Sequence, residues 1–197
     1  MTIWFATGNA HKKTELEAIL SGLTITIPAD AGISDFDPAE NGTTFLENAL
    51  IKARALYNLV KQPVIADDSG LCVDALGGRP GIHSARYGSE GKANLTSTER
   101  NALVLKELGD TSQRRARFVC AMVLLFNTDR FWVAQETLEG EILREERGSR
   151  GFGYDPILYV PSLGAAVAEL SEETKNRISH RGKAGQIIRR IAEQVLD

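Results

Sequence analysis

The sequence predicts a single α/β domain over residues 1–197, built on a mixed, twisted central sheet flanked by helices. Strand-like and helix-like segments are interspersed along the chain without strict β-α-β alternation. The run Arg117–Phe126 is almost continuously apolar, which is typical of a central strand covered on both faces. The chain has 197 residues, 43% of them hydrophobic, so it is long enough to bury a core of useful size.

Hydrophobic periodicity and capping signals predict the elements of the first third of the chain. Thr2–Thr7 and Leu23–Ile27 are predicted strands, and Lys12–Leu20 is a predicted helix. The capping box Thr44-x-x-Glu47 begins the clearest helix, which we expect to end before Pro63. Its apolar face comprises Phe45, Ala49, Ala53, Leu56 and Val60.

The same signals predict the elements that follow. A helix is predicted at Asn94–Leu108, opened by Thr96-x-x-Glu99, and two strands at Phe131–Leu138 and Glu141–Arg144, joined by a turn at Gly140. A strand at Ile157–Val160 and a helix at Glu172–Ile178 follow, and then a break at Ser179–Gly182. The last predicted helix has an inward face formed by Ala184, Ile187, Ile188, Ile191 and Val195.

Bulk properties narrow the function classes. The net charge of −3 argues against non-specific nucleic-acid binding. The chain has two cysteines, Cys72 and Cys120, and both lie in apolar runs, so we expect buried free thiols in a reducing cytoplasm. No signal peptide and no membrane-spanning run is recognisable. The expectation is a soluble cytoplasmic protein.

The stretch Val64–Tyr87 carries two adjacent acids, Asp67 and Asp68, where an apolar strand, Val64–Ala66, is expected to end. Like charges this close cannot both ionise freely without a positive partner. Ser69-Gly70 is expected to break the strand. Either Mg²⁺ binds the pair, or one acid caps a turn and the other is solvated.

Two further charged residues, Glu40 and Lys52, are candidates for a site around the acidic pair. Glu40 precedes the capped helix and is either another metal-ligating carboxylate or a solvated loop acid. Lys52 lies beside the apolar face of that helix. It is either a cation facing the acids or a phosphate, or a lysine that extends its charged end to solvent.

The segment Thr7-Gly8-Asn9-Ala10-His11-Lys12 forms a predicted strand-to-helix turn. A helix N-terminus offers backbone N–H groups and partial positive charge to a phosphate, and Lys12 adds a full charge. The segment matches neither a Walker A loop nor a GxGxxG fingerprint. An ordinary turn and helix start is the alternative interpretation.

The C-terminal third adds an aromatic and a basic feature. Phe152 stands between Gly151 and Gly153, and its ring either stacks on a base or packs into the core. Lys175 and the pair His180-Arg181 form a basic island, in which the arginine could donate to a ligand carbonyl. The alternative for the histidine is a solvated or capping residue.

Other active-site types find no support. No GxSxG elbow supports a Ser-His-Asp hydrolase, and His11, His83 and His180 lack zinc-ligand spacing. A phosphate-binding turn, an acidic pair, an aromatic ring and a basic clamp together suit a nucleoside triphosphate with Mg²⁺.

Five blocks resemble the inosine triphosphate pyrophosphatase family, whose members clear noncanonical purine nucleoside triphosphates. The blocks occur in the family's order and span nearly the whole chain, leaving out Ser89–Arg114. They are TGNxxK at Thr7–Lys12, ENGTTFxENAxxKA at Glu40–Ala53, ADDSGLxVDALGGxPGxxSARY at Ala66–Tyr87, GFGYDP at Gly151–Pro156 and ISHRG at Ile178–Gly182.

The resemblance implies Mg²⁺-dependent hydrolysis of ITP, dITP and XTP to the monophosphate and pyrophosphate. It also implies a homodimer of elongated subunits, each with a nucleotide cleft between two lobes. The acidic net charge and the lack of a membrane-spanning run predict no nucleic-acid and no membrane partner. By the resemblance, Glu40 and Asp68 serve the metal, Asp68 accepts the proton of the attacking water, and Asp67 and Lys52 support them. The substrate-binding residues that it implies are Thr7, Gly8, Asn9, Ala10, His11, Lys12, Ser69, Phe152, Gly153, Tyr154, Asp155, Lys175, His180 and Arg181.

Two alternatives remain open from the sequence. One is a pyrophosphatase for modified pyrimidine triphosphates, as in the Maf-like relatives of this fold. The other is a non-catalytic nucleotide-binding protein. The role of the Gly77–Gly81 loop is not explained by the sequence.

Overall fold

The structure is a computed structural model that describes residues 2–34, 36–89 and 94–195. Its seven-stranded sheet has the order β2-β1-β3-β4-β5-β6-β7. The strands are β1 Thr2–Phe5, β2 Thr24–Thr26, β3 Val64–Val73, β4 Arg115–Asn127, β5 Arg130–Ile142, β6 Leu158–Val160 and β7 Ala165–Ala166. β1 is parallel to β2 and β3, whereas β6 is antiparallel to β5 and β7, so the predicted mixed sheet is confirmed.

Five α-helices accompany the sheet in the described residues. They are α1 Ala10–Ile19, α2 Phe45–Val60, α3 Ser97–Leu108, α4 Glu172–Ile178 and α5 His180–Val195. Capping boxes at Thr44 and Thr96 begin α2 and α3, as predicted. None of the helices in the described ranges is both long and apolar enough to cross a membrane.

Backbone contacts divide the described chain into two compact units. The first comprises residues 2–34, 36–68, 120–136 and 179–195, and the second comprises residues 69–89, 94–119 and 137–178. The first has two apolar clusters, one containing residues of α1 and α5 and the other residues of α2. The second has its own cluster, to which α3 contributes Val104 and Leu108. The single-domain span stays a prediction.

Two predicted strand breaks are wrong for the same physical reason. β3 continues through Ser69-Gly70, and β5 continues through Gly140. A Cβ atom at Gly70 would collide with the Ser84 side chain and the Gly81 carbonyl, and one at Gly140 would collide with the Tyr159 carbonyl. These glycines permit close approach of another backbone within the sheet, as glycines in strands often do.

The Gly77–Gly81 loop and the turn that follows it pack closely against β3 at Gly70. The Ser84 hydroxyl accepts a hydrogen bond from the Leu71 N–H (2.9 Å) and donates one to the Gly81 carbonyl (2.7 Å). Cys72 forms an isolated bridge with Pro80. The loop is therefore packed along the second half of β3.

The predicted break at Ser179–Gly182 is also wrong, because only Ser179 separates α4 from α5. The Ser179 hydroxyl accepts a hydrogen bond from the Gly182 N–H (3.0 Å), and the Ser179 carbonyl accepts one from the Lys183 N–H (2.9 Å). Ser179 thus accepts hydrogen bonds from N–H groups at the start of α5. His180 and Arg181 lie in the first turn of this helix and not in a loop.

The cap of α2 can be tested by substitution. Thr44→Ala should lower the free energy of unfolding by about 1 kcal/mol, because it removes the hydroxyl that accepts from the Glu47 N–H. Urea denaturation measures the change. Thr44→Ser keeps the acceptor and serves as the control. Equal losses in the two variants would show that the cap does not contribute.

Candidate active site

Asp67 and Asp68 lie in the middle of β3, where successive side chains point to opposite faces. Ile65, two residues before Asp67, packs in the cluster of α1 and α5, and Ala66, two before Asp68, packs in the cluster of α2. The expectation that the strand ends at these acids is therefore wrong, because β3 continues to Val73. Each acid lies on its own face and makes its direct ion pairs with different cations.

Asp67 is buried between two cations. Its Oδ1 accepts from Lys12 Nζ (3.1 Å), and its Oδ2 accepts from Arg181 Nε (3.2 Å) and Nη2 (2.9 Å). Burial alone would raise the pKa of this carboxyl, but Lys12, Arg181 and the more distant Lys52 outweigh it and hold the pKa well below its usual range. Asp67 is therefore ionised and a poor proton acceptor.

Arg181 is almost wholly buried and bridges two acids. Besides its two hydrogen bonds to Asp67, its Nη1 donates to Glu15 Oε2 (2.6 Å). The carboxylates thus take three of the five guanidinium N–H groups. Sequence reasoning missed Glu15, although its position three residues after Lys12 on α1 was an available signal.

Asp68 receives a different set of donors. Its Oδ1 accepts from Lys52 Nζ (3.3 Å) and its Oδ2 from Asn48 Nδ2 (3.1 Å). Burial raises the pKa of Asp68, and the nearby Lys52 only partly opposes this rise. A carboxylate with a raised pKa is a better proton acceptor than an ordinary one.

Lys52 joins Asp68 to Glu40, whose Oε1 lies 2.5 Å from the Lys52 ammonium. Burial opposes the charge on this ammonium, but Asp68, Asp67 and Glu40 outweigh it and raise the pKa of Lys52. Two carboxylates thus converge on one cation.

This pair of carboxylates fits a hard divalent cation. Oxygen ligands suit Mg²⁺, which is commonly held by one or two carboxylates and completes its shell with water and substrate phosphate. In residues 2–34, 36–89 and 94–195, no group of three or more His, Cys, Asp or Glu side chains is arranged to hold a metal by itself. Glu40 and Asp68 would supply part of a shell.

In the predicted phosphate-binding turn, the side chain of Asn9 already binds two of the backbone N–H groups. Asn9 Oδ1 accepts from the N–H groups of His11 (2.9 Å) and Lys12 (3.3 Å), which begins α1 two residues earlier than predicted. Thr7 is buried and its hydroxyl accepts from the Asn9 N–H, whereas Gly8 to His11 are exposed. A Cβ atom at Gly8 would meet nothing within 4 Å, so packing does not require glycine there.

The aromatic turn belongs to the second unit and is held by a buried ion pair. Asp155 Oδ2 accepts from Lys175 Nζ (2.7 Å) and from the Phe152 N–H (2.9 Å). The same ammonium lies 4.6 Å from the centroid of the half-buried Phe152 ring. The buried Tyr154 donates to the Ser84 carbonyl (2.8 Å).

The predicted site residues are divided between the two units. Lys175, Phe152, Tyr154 and Asp155 are in the second unit with Gly153 and the half-buried Ser69. The other predicted site residues are in the first unit. His180 is buried, so it is not the solvated loop histidine considered from the sequence.

Sequence reasoning also missed Asn48. This residue is fully buried and contacts Asp68 directly. Its spacing of four residues before Lys52 places both on one face of α2, which is the signal that could have found it.

The buried Arg181 network can be tested by stability. Arg181→Ala should lower the free energy of unfolding by about 3–5 kcal/mol, because it leaves the buried Asp67 carboxylate and the half-buried Glu15 carboxylate without this cation. Arg189→Ala is the matched control on the same helix. Its exposed pair with Glu193 should contribute less than about 1 kcal/mol. Equal effects in urea denaturation would contradict a buried, stabilising role.

Comparisons with known proteins identify the family of this chain. A model of the Ham1 family matches residues 3–191. A protein of Treponema denticola named dITP/XTP pyrophosphatase is 54% identical over 93% of this chain and 94% of its own.

Solved structures give the same result. The Ham1 protein of Staphylococcus aureus has a TM-score of 0.87 and 39% identity, covering 98% of this chain and 99% of its own. The Ham1 protein of Coxiella burnetii has a TM-score of 0.88 and 38% identity, covering 99% of this chain and all of its own. The resemblance found in the sequence blocks is confirmed, and the chain belongs to the Ham1 family.

Proposed function

We propose that this chain hydrolyses noncanonical purine nucleoside triphosphates, namely dITP, ITP and XTP, to the nucleoside monophosphate and pyrophosphate. The observation that carries the proposal is the buried Asp68 carboxylate, which has a raised pKa and shares the Lys52 ammonium with Glu40. The relative from Treponema denticola is named for the same activity on dITP and XTP. Such hydrolysis removes these nucleotides before they enter DNA or RNA.

In the proposed reaction Asp68 is the proton acceptor. The oxygen of a water molecule attacks the α-phosphorus in line, and the water proton passes to an Asp68 carboxylate oxygen. The bond from the α-phosphorus to the oxygen bridging to the β-phosphate breaks, and pyrophosphate leaves. Each carboxylate oxygen has two lone pairs, so donation from Lys52 and Asn48 leaves Asp68 able to accept.

Glu40 and Asp68 are the residues that would hold Mg²⁺. When bound there, the ion supplies charge neutralisation for the triphosphate oxygens. Lys52 keeps the two carboxylates near one point through its paired contacts with both. Asp67 holds Lys12 in place rather than accepting a proton, because its pKa is low.

The exposed backbone from Gly8 to His11, together with Thr7 and Lys12, is proposed to bind the triphosphate. For the second unit we propose nucleotide contacts by Ser69, Phe152, Gly153, Tyr154, Asp155 and Lys175, with base stacking on the Phe152 ring. Donation from His180 and Arg181 to the 6-oxo group stays a prediction. For Arg181 it requires N–H groups other than the three that Asp67 and Glu15 accept.

We also propose a cytoplasmic homodimer, an expectation that comes from the family resemblance. Sedimentation or light scattering measures the oligomeric state. Pyrimidine triphosphates belong in every activity assay, since their turnover would favour the Maf-like alternative.

The substrate class is tested by pyrophosphate release from dITP, XTP, ITP, GTP, ATP and modified pyrimidine triphosphates, with and without Mg²⁺. A 6-oxo purine should be preferred over adenine by roughly 10⁴-fold in kcat/KM, because an adenine amino group would leave buried donors unpaired. Binding of ITP without pyrophosphate release would instead indicate a nucleotide-binding protein. Activity that is equal with and without Mg²⁺ would contradict the metal role.

The role of Asp68 is tested by Asp68→Asn, which removes the proton acceptor and keeps the side-chain shape. We expect kcat to fall by about 10²–10⁴-fold with an unchanged circular dichroism spectrum. Asp110→Asn, at a fully exposed acid, is the control and should retain full activity. Near wild-type turnover of dITP by Asp68→Asn at saturating Mg²⁺ would remove Asp68 from the mechanism.

A further inference from the structure

We propose that Asn48 is a positioning residue that fixes the Asp68 carboxylate and the Glu40 loop relative to each other. This inference rests on the proposed function, because it concerns the carboxylates assigned to water activation and metal binding. None of the assigned roles above includes Asn48.

Both ends of the Asn48 amide are used. Nδ2 donates to Asp68 Oδ2 (3.1 Å), and Oδ1 accepts from the Gly42 N–H (2.9 Å). The partners assign this orientation, because the flipped amide would set an oxygen against a carboxylate and an NH₂ group against an N–H donor. Since the side chain is fully buried, no solvent can replace either hydrogen bond cheaply.

The α2 helix presents Asn48 and Lys52 one turn apart on the same face. Each donates to a different oxygen of Asp68, so together they restrain rotation of the carboxylate plane. The capping box at Thr44 fixes the start of the helix four residues before Asn48.

The hydrogen bond from the Gly42 N–H to Asn48 Oδ1 connects the loop that carries Glu40 to α2. Gly42 follows Glu40 by two residues, and a Cβ atom there would lie 2.7 Å from Asn48 Oδ1 and 2.7 Å from Glu47 Cβ. The loop is therefore packed against the first turns of α2. Asn48 holds both the loop and Asp68, and so sets the separation between the Glu40 and Asp68 carboxylates.

Mutation of a residue that orients a metal-ligating carboxylate typically lowers metal affinity or activity by about 10- to 100-fold. The two contacts of Asn48 can be separated by substitution. Asn48→Asp keeps an acceptor for the Gly42 N–H but replaces the donor to Asp68 by a like charge. Asn48→Ala removes both contacts.

The experiment measures three quantities for each variant: Mn²⁺ binding to the substrate-free protein by electron paramagnetic resonance, kcat and KM for dITP, and the melting temperature. Asn48→Ala should weaken Mn²⁺ binding and lower kcat, each by about 10- to 100-fold. Asn48→Asp should retain Mn²⁺ binding while kcat falls by about the same factor. Asn58→Ala, at an exposed asparagine of the same helix, should change none of the three.

A purely structural asparagine would lower the melting temperature and leave kcat and Mn²⁺ binding of the folded variants unchanged, which would overturn the proposal. If Asn48→Ala does not fold, Gly42→Ala tests the contact from the loop side and should lower kcat and Mn²⁺ affinity together. Unchanged values there would also overturn it. Wild-type protein that binds Mn²⁺ but releases no pyrophosphate refutes the proposed function, whereas the Mn²⁺ titration of Asn48→Ala still tests the positioning.

Discussion

Side chains alternate between the two faces of β3, and this alternation gives two adjacent acids different surroundings. Asp67 points to the face covered by α1 and α5, and Asp68 points to the face covered by α2. Adjacent carboxylates on a solvated loop would compete for one cation. On a buried strand they point to opposite faces, and each makes direct ion pairs with the helices that pack on its side.

Neutralisation links the site to the packing of the first unit. An unpaired buried charge costs several kcal/mol, so the helices must bring cations to both faces when they pack. α1 and α5 supply Lys12 and Arg181, and α2 supplies Lys52. The hydrophobic clusters and the ion pairs therefore depend on the same helix positions, and a site of this kind requires a well-packed fold around it.

The two faces also differ in charge balance. Asp67 has more positive than negative neighbours among its direct partners, which keeps its pKa low. Asp68 makes its direct ion pair with Lys52, which also contacts Glu40, and burial raises the pKa of Asp68. One strand thus presents a permanently charged anchor and, at the next residue, a carboxylate suited to proton transfer. This difference is the physical reason why we propose a positioning role for Asp67 and proton transfer for Asp68.

Local signals in the sequence determined much of the fold and the chemical character of the site. The threonine hydroxyl and glutamate carboxylate of each capping box bind backbone groups within one turn. The starts of α2 at Thr44 and α3 at Thr96 were therefore predictable. Only tertiary structure decided that β3 and β5 continue through Gly70 and Gly140. These glycines contact backbone segments that are not their sequence neighbours, and a Cβ atom would collide with them. It also decided which cation each acid receives. Asp67 pairs with residues 55 and 114 positions away, and such pairing follows from strand order and helix packing, which no local pattern encodes.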